Sequence, residues 1–175
     1  MNPPPSAERG AALISVYDRT GIVPLARALA QRGVPIFATG GTCTHLREHG
    51  VDAHDVGELT GYPSLFDGRV KTLHPNVFGG ILHDRANPAH LEQAREHEIP
   101  TIATVVANLY PFEATVAKEG ATLQEAIEQI DIGGVSLLRA AAKNFDHVTV
   151  LSHPNQYDTF VAALSRGGLD HATRR

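Results

Sequence analysis

The first fifty residues alternate in a way that few architectures accept. Ala12-Leu13-Ile14-Ser15-Val16 is a short apolar run and reads as a buried strand. Asp18, Thr20 and Gly21 break it, and Ile22 to Gln31 then carries apolar residues at helical spacing (Ile22, Leu25, Ala26, Leu29) until Gly33 stops it. Ile36-Phe37-Ala38 is a second strand. Thr39-Gly40-Gly41-Thr42 turns the chain into a short helix that runs to about His49, with Gly50 as its cap. Strand, helix, strand, glycine turn, helix is the signature of a parallel sheet with crossover helices.

The remainder continues the pattern. Val51 to Val56 reads as a third strand and Val77 to Leu82 as another short apolar segment. Asn87 to His97 reads as an amphipathic helix with Pro88 in its first turn. Ile102 to Ala107, nearly all β-branched or small, is the clearest strand. Thr122 to Ile130 is a helix opened by a capping box, Thr122 with Glu125. A helix over Gly134 to Lys143, a strand over Val148 to Leu151 and a helix over Pro154 to Leu164 complete the chain. There is no internal repeat and no sign of a second domain. Residues 1–10, proline-rich and polar, read as a flexible leader, residues 11–165 as one α/β domain, and residues 166–175 as a truncated or flexible tail.

Composition removes several classes of function. The chain has 175 residues, enough for one domain with a hydrophobic core. A net charge of −4 argues against a nucleic-acid partner, which calls for a basic surplus. No apolar run is long enough to span a bilayer. The single cysteine, Cys43, excludes an internal disulfide framework and fits a reducing cytoplasm. It reads as a small packed side chain rather than a nucleophile. Ten histidines raise the question of metal. His45 and His49 stand one helical turn apart, but no H-E-x-x-H pattern and no cysteine pair accompanies them, so no metal site is expected.

Arg69-Val70-Lys71-Thr72-Leu73-His74-Pro75 concentrates two cations, a hydroxyl and an imidazole. Gly61, Pro63 and Gly68 precede it, so it is a loop. A guanidinium fork, a mobile ammonium and a hydroxyl on one loop suit a small anionic ligand. In open parallel sheets, ligands bind beyond the carboxyl ends of the strands. Ser15 to Gly21, Thr39 to Thr42 and Asn108-Leu109-Tyr110-Pro111 all fall there, with the basic loop near the end of the third strand. The glycine pair lets backbone N–H groups approach an anion at a helix start. The dinucleotide fingerprint G-x-G-x-x-G is absent after the first strand, which argues against NAD. Asp131-Ile132-Gly133-Gly134 places an acid beside two glycines. Such an acid caps a following helix, or serves as a base with glycine amides ready for an oxyanion. Tyr110 reads either as a core-edge tyrosine or as part of the crevice, and Lys143 either as favourable charge at a helix end or as a site residue.

These segments, with Arg139-Ala140-Ala141-Ala142-Lys143-Asn144 closing the set, occur in the order found in one family. From about Leu13 to Leu164 the chain resembles the inosine monophosphate (IMP) cyclohydrolase domain of the bifunctional purine-biosynthesis proteins. The resemblance implies a methylglyoxal-synthase-like (MGS-like) α/β fold, a three-layer sandwich with a mainly parallel central sheet. It implies ring closure of 5-formamido-imidazole-4-carboxamide ribonucleotide (FAICAR) to IMP, with no cofactor and no metal, in the cytoplasm. It also implies a homodimer and a transformylase domain in cis or as a separate protein. Lys71, Tyr110, Asp131 and Lys143 would be the catalytic group. Ser15, Arg19, Thr39, Gly40, Gly41, Thr42 and Thr72 would hold the phosphate, Asn108 and Arg69 would support the base and the loop, and Gly133 and Gly134 would help hold the oxyanion. At Tyr17 and Arg19 the family more often has serine and lysine; Arg19 still suits a phosphate, bidentately. A straight helix from Gly134 to Lys143 spans about 13 Å at ~1.5 Å per residue, so Lys143 reaches Asp131 only through a bend, a break or a partner subunit. The alternatives on the same fold are methylglyoxal synthase and a nucleotide- or phosphate-binding regulatory module.

Overall fold

The computed structural model describes residues 10–167 and 169–174. In chain order its elements are β1 (Ala11–Val16), α1 (Ile22–Ala30), β2 (Ile36–Ala38), α2 (Gly40–Glu48), β3 (His54–Asp55), α3 (Val56–Thr60), α4 (Pro75–Leu82), α5 (Pro88–Glu96), β4 (Ile102–Asn108), α6 (Phe112–Val116), α7 (Leu123–Glu128), α8 (Gly133–Lys143), β5 (Thr149–Leu151), α9 (Tyr157–Leu164) and α10 (His171–Arg174). The five strands form one parallel sheet in the order β3-β2-β1-β4-β5.

The period-2 geometry of a strand sorts the core into two layers. Ala12, Ile14 and Val16 of β1 and Val106 of β4 face one side, packing with Ile22, Leu25 and Leu29 of α1, Leu46 of α2 and Phe160 of α9. Leu13 of β1 and Val105 and Ala107 of β4 face the other, packing with Val77 and Ile81 of α4 and Leu137 and Ala141 of α8. Both faces of the central strands are therefore apolar, which is why Ala12 to Val16 reads as a continuous run rather than an alternation. The edge strands are short, two residues in β3 and three in β5, which leaves little unpaired backbone.

Several expectations are corrected. The strand expected over Val51 to Val56 shrinks to His54–Asp55, because Asp55 and Glu58 make a capping box and Val56 starts a helix instead. The glycines of Thr39-Gly40-Gly41-Thr42 are not a turn ahead of a helix but the first turn of α2 itself. Val77 to Leu82 is helical, opened by Pro75 at the first position and by the His74 ring, whose Nδ1 accepts from Asn76 N at 3.1 Å. The final helix is split: Pro154–Gln156 is a 3₁₀ turn ahead of α9. The short helix α6 carries no strong sequence signal. Most of the expected leader, residues 1–9, lies outside the described residues. Gly10 is buried and its φ of +64° turns the chain into β1. In the tail, His171 of α10 contacts Asp146 at 2.6 Å.

Close approach of α4 to the start of β4 depends on a glycine. A Cβ on Gly80 would stand 2.5 Å from the Pro100 carbonyl oxygen and 3.0 Å from Ile102 Cδ1. Gly80→Ala must push the helix off the sheet. We expect a loss of about 1–3 kcal/mol, seen as a lower urea midpoint at unchanged m-value; an unshifted midpoint would refute this packing.

Candidate active site

Five chain segments meet beyond the carboxyl ends of β1, β2 and β4, where a parallel sheet places its ligand crevice. They line one cavity of about 440 Å³. Ser15 and Thr39 come from the ends of β1 and β2, and the Thr39 hydroxyl donates to Ser15 Oγ at 3.1 Å. The loop after the 3₁₀ turn at Phe66–Gly68 contributes Arg69, Lys71 and Thr72; the end of β4 contributes Asn108 and Tyr110; the entry to α8 contributes Asp131, Gly133 and Gly134.

Asn108 organises this end of the sheet. Its Oδ1 accepts from the N–H groups of Tyr17 (2.7 Å) and Asp18 (2.9 Å), and its Nδ2 donates to the Asp18 carbonyl (2.8 Å). The side chain is thus engaged with the loop after β1, and supports that loop. On the same loop the Thr20 side chain and backbone hold the Asp18 carboxyl below its usual range.

Arg19 follows on the loop, exposed, and its guanidinium lies against α2. A Cβ on Gly41 would stand 2.6 Å from its Nη2, so only glycine lets the arginine lie there. Gly40 and Gly41 occupy the first turn of α2, where N–H groups have no intrahelical acceptor. Arg19, Gly40 and Gly41 flank the cavity rather than line it. Thr42 turns inward: it is buried and its hydroxyl donates to the Val16 carbonyl at 3.1 Å, so it serves the fold rather than a ligand. Next to it Cys43 is buried, and desolvation raises its thiol pKa, in keeping with a packed, unreactive side chain.

On the opposite wall, Asp131, one residue ahead of the N-cap Ile132, takes up a first-turn N–H of α8: its Oδ1 accepts from Gly134 N at 2.6 Å. A Cβ on Gly134 would fall 2.6 Å from Asp131 Oδ2, which explains a glycine at that position. Thr72 is buried beside Gly133, where a Cβ would meet its Oγ1 at 3.1 Å, placing it with the Asp131 wall rather than beside Arg19. Lys71 is half-buried, with Nζ close to Gly68. Among the described residues that line the cavity, Lys71 is a cation without an ion pair, because Arg69 is paired with Glu128.

Lys143 is not brought to this site. Helix α8 is unbroken over 11 residues, and Lys143 is exposed at its far end, roughly 15 Å along the axis from the Asp131 end. Glu128, which local sequence did not single out, belongs to the cavity, and so does Tyr17, which the sequence marked only as a departure from the family pattern. Glu128 meets Arg69 across 59 residues of chain, a pairing that no local pattern encodes. Tyr17 stands edge-to-face on Tyr110, ring centroids 5.7 Å apart. Among the described residues no group of three or more His, Cys, Asp or Glu is arranged to hold a metal ion. His45 and His49 instead meet in a tilted ring contact, with His49 Nδ1 2.8 Å from the His45 carbonyl.

A parallel sheet with this crevice defines a class, and sequence comparison names it: residues 21–136 match the model of the MGS-like domain. The chain belongs to that family. Within it, the chain is similar to the small N-terminal domain of the bifunctional purine biosynthesis protein PurH. It is 58% identical over 153 residues to PurH of Magnetococcus marinus, covering 87% of this chain and 29% of that protein. It is 50% identical over 165 residues to PurH of Halalkalibacterium halodurans, covering 94% of this chain and 32% of that protein. The chain thus spans about a third of the length of these curated relatives. Among solved structures, the crystal structure of ForH superposes with a TM-score of 0.83 at 37% identity, covering 94% of this chain and 82% of that one.

The triple contact of Asn108 yields a test that needs no substrate. Asn108→Ala should cost about 1–3 kcal/mol of stability by leaving backbone groups of Tyr17 and Asp18 without partners. Asn108→Asp keeps both acceptor contacts but sets a carboxylate oxygen against the Asp18 carbonyl in place of the donor, so it should also lower the unfolding temperature; an unchanged unfolding temperature in both variants would mean that the anchor is not what those bonds suggest.

Proposed function

We propose that this domain is an IMP cyclohydrolase, closing the six-membered ring of FAICAR to give inosine monophosphate, the final step of purine nucleotide assembly. Similarity to proteins named for purine biosynthesis supports the pathway. The observation that carries the specific reaction is the convergence of Lys71, Tyr110 and Asp131, from three separate segments, on one cavity of nucleotide size.

The chemistry sets clear demands. The carboxamide nitrogen attacks the formyl carbon, forming one C–N bond and a carbinolamine. The former formyl oxygen then leaves as water. Its two protons come from the carboxamide and formamido nitrogens, so the step is redox-neutral. An amide nitrogen is a weak nucleophile and needs its proton accepted, while the formyl oxygen gains charge and needs a cation or donor. Lys71, free of ion pairs, is assigned to the formyl oxygen. Asp131 and Tyr110 handle protons at the nitrogens, and the Gly133 and Gly134 amides lie on the same wall, although Gly134 N is spent on Asp131. Both reacting groups belong to one molecule, so the protein's main task is to hold them in a closing geometry. Arg19 with the first turn of α2, Thr39 and Ser15 would take the 5′-phosphate, and Thr72 the middle of the cavity. No cofactor or metal enters the step as written.

The reading carries further parts. The protein would be cytoplasmic; no helix among the described residues is long and apolar enough to cross a membrane. It would be a homodimer, and a part for Lys143 in the chemistry requires the partner copy. Exposed apolar side chains around the site, Leu123, Ile127, Ile130 and Ile132 among them, are consistent with such a contact. A transformylase domain is expected in cis or as a separate protein.

The purified chain should convert FAICAR to IMP without added cofactor, followed by absorbance of the purine product. Lys71→Ala should lower kcat by about 100-fold with little change in KM, because its contact strengthens only as charge develops. Arg19→Ala should mainly raise KM, by about tenfold, since phosphate binding is common to ground and transition states. Ring closure that survives both Lys71→Ala and Asp131→Asn would favour a regulatory nucleotide-binding module, and turnover of dihydroxyacetone phosphate would favour methylglyoxal synthase.

A further inference from the structure

We infer that Tyr17 is a positioning residue: its ring holds Tyr110 in place at the wall of the main cavity. The two rings meet edge-to-face, centroids 5.7 Å apart and planes at 77°, the geometry that aromatic quadrupoles favour. Neither ring is fixed by the core. Tyr17 is 55% exposed and Tyr110 42% exposed, so the contact between them supplies restraint that burial does not.

Tyr17 can serve as a support because its own backbone is fixed. Its N–H donates to Asn108 Oδ1, and Asn108 also takes up both backbone groups of Asp18. Asn108 lies two residues before Tyr110, at the end of β4. Both ends of the aromatic pair are therefore referred to the same strand terminus, and the ring contact closes a small loop of interactions between β1 and β4.

The space beyond Tyr17 explains why such a support matters. A second cavity of about 420 Å³ lies between α6 and α7, lined by Pro111, Thr115, Lys118, Gln124 and Glu128. Tyr17 and Glu128 line both cavities, so the Tyr17 ring stands on the boundary between them. Without its ring, Tyr110 has open volume rather than packed atoms beside it. A hydroxyl that must meet a reacting nitrogen loses effectiveness when its ring wanders by an ångström.

The kinetic arm rests on the proposed ring closure; the spectroscopic arm does not. Tyr17→Ser should lower kcat by about tenfold while changing KM by less than about threefold, and Tyr17→Phe, which keeps the ring edge, should rescue kcat. In a Tyr110→Phe background Tyr17→Ser should cost little more, because a support has no effect once the supported hydroxyl is gone. Equal losses in both backgrounds, or no loss, would overturn the inference. Independently, 3-fluorotyrosine incorporation gives four ¹⁹F resonances, one per tyrosine. The Tyr110 line, assigned by its disappearance in Tyr110→Phe, should shift in Tyr17→Ser and stay put in Tyr62→Phe. An unmoved line refutes the support whatever the activity. A wild type that closes no ring would overturn the proposed function instead, and the resonance alone would then decide the role of Tyr17. Tyr17 lies on an exposed loop, so the variants should unfold at the wild-type temperature.

Discussion

A parallel sheet brings strand ends together but does not say how the loops beyond them will stand. Here that is decided by one carboxamide. Asn108 ends β4, the strand hydrogen-bonded to β1 over most of its length, and its side chain captures the backbone of the loop that leaves β1. Three hydrogen bonds between adjacent strand ends set the direction in which Tyr17 and Arg19 depart. Tyr17 then meets Tyr110, and Arg19 lies over the first turn of α2. The anion-suited side of the crevice and the tyrosine side are thus oriented from the same point.

The opposite wall follows a different logic. Asp131 accepts the Gly134 amide and so begins α8, the helix whose Leu137 and Ala141 fill the second core layer. An acid bonded to the first turn of a helix that itself packs on α4 and β4 has a fixed place at the cavity wall. Capping and chemistry are not competing readings of Asp131; the first supplies the preorganisation that the second would use. The same rigidity removes Lys143, because an uninterrupted helix carries its last residue away from its first.

The ion pair between Arg69 and Glu128 shapes the field in the crevice. It neutralises one of the two cations on the basic loop and leaves Lys71 as the cation available to a ligand. In a chain of net charge −4, a local positive site has to be built in this way, by pairing some charges and sparing one.

The class of fold was legible in the residue pattern alone. Apolar strands spaced by crossover helices leave a parallel sheet as the arrangement that buries both faces, and the capping box at Thr122 and the proline at the start of α5 mark helix starts by local physics. That pattern also marked most of the crevice, because the residues at strand ends, Ser15, Thr39, Asn108 and Tyr110, have places dictated by topology. Where two local signals competed, as at Val51 to Val56, the sequence could not show that the Asp55 and Glu58 capping box would beat β-propensity after two residues of strand. Which side chains meet across long stretches of chain was settled by the assembled fold: Arg69 with Glu128, Tyr17 with Tyr110, Arg19 with Gly41. Those pairings depend on how rigid elements are set against one another, and no local period, propensity or cap carries that information.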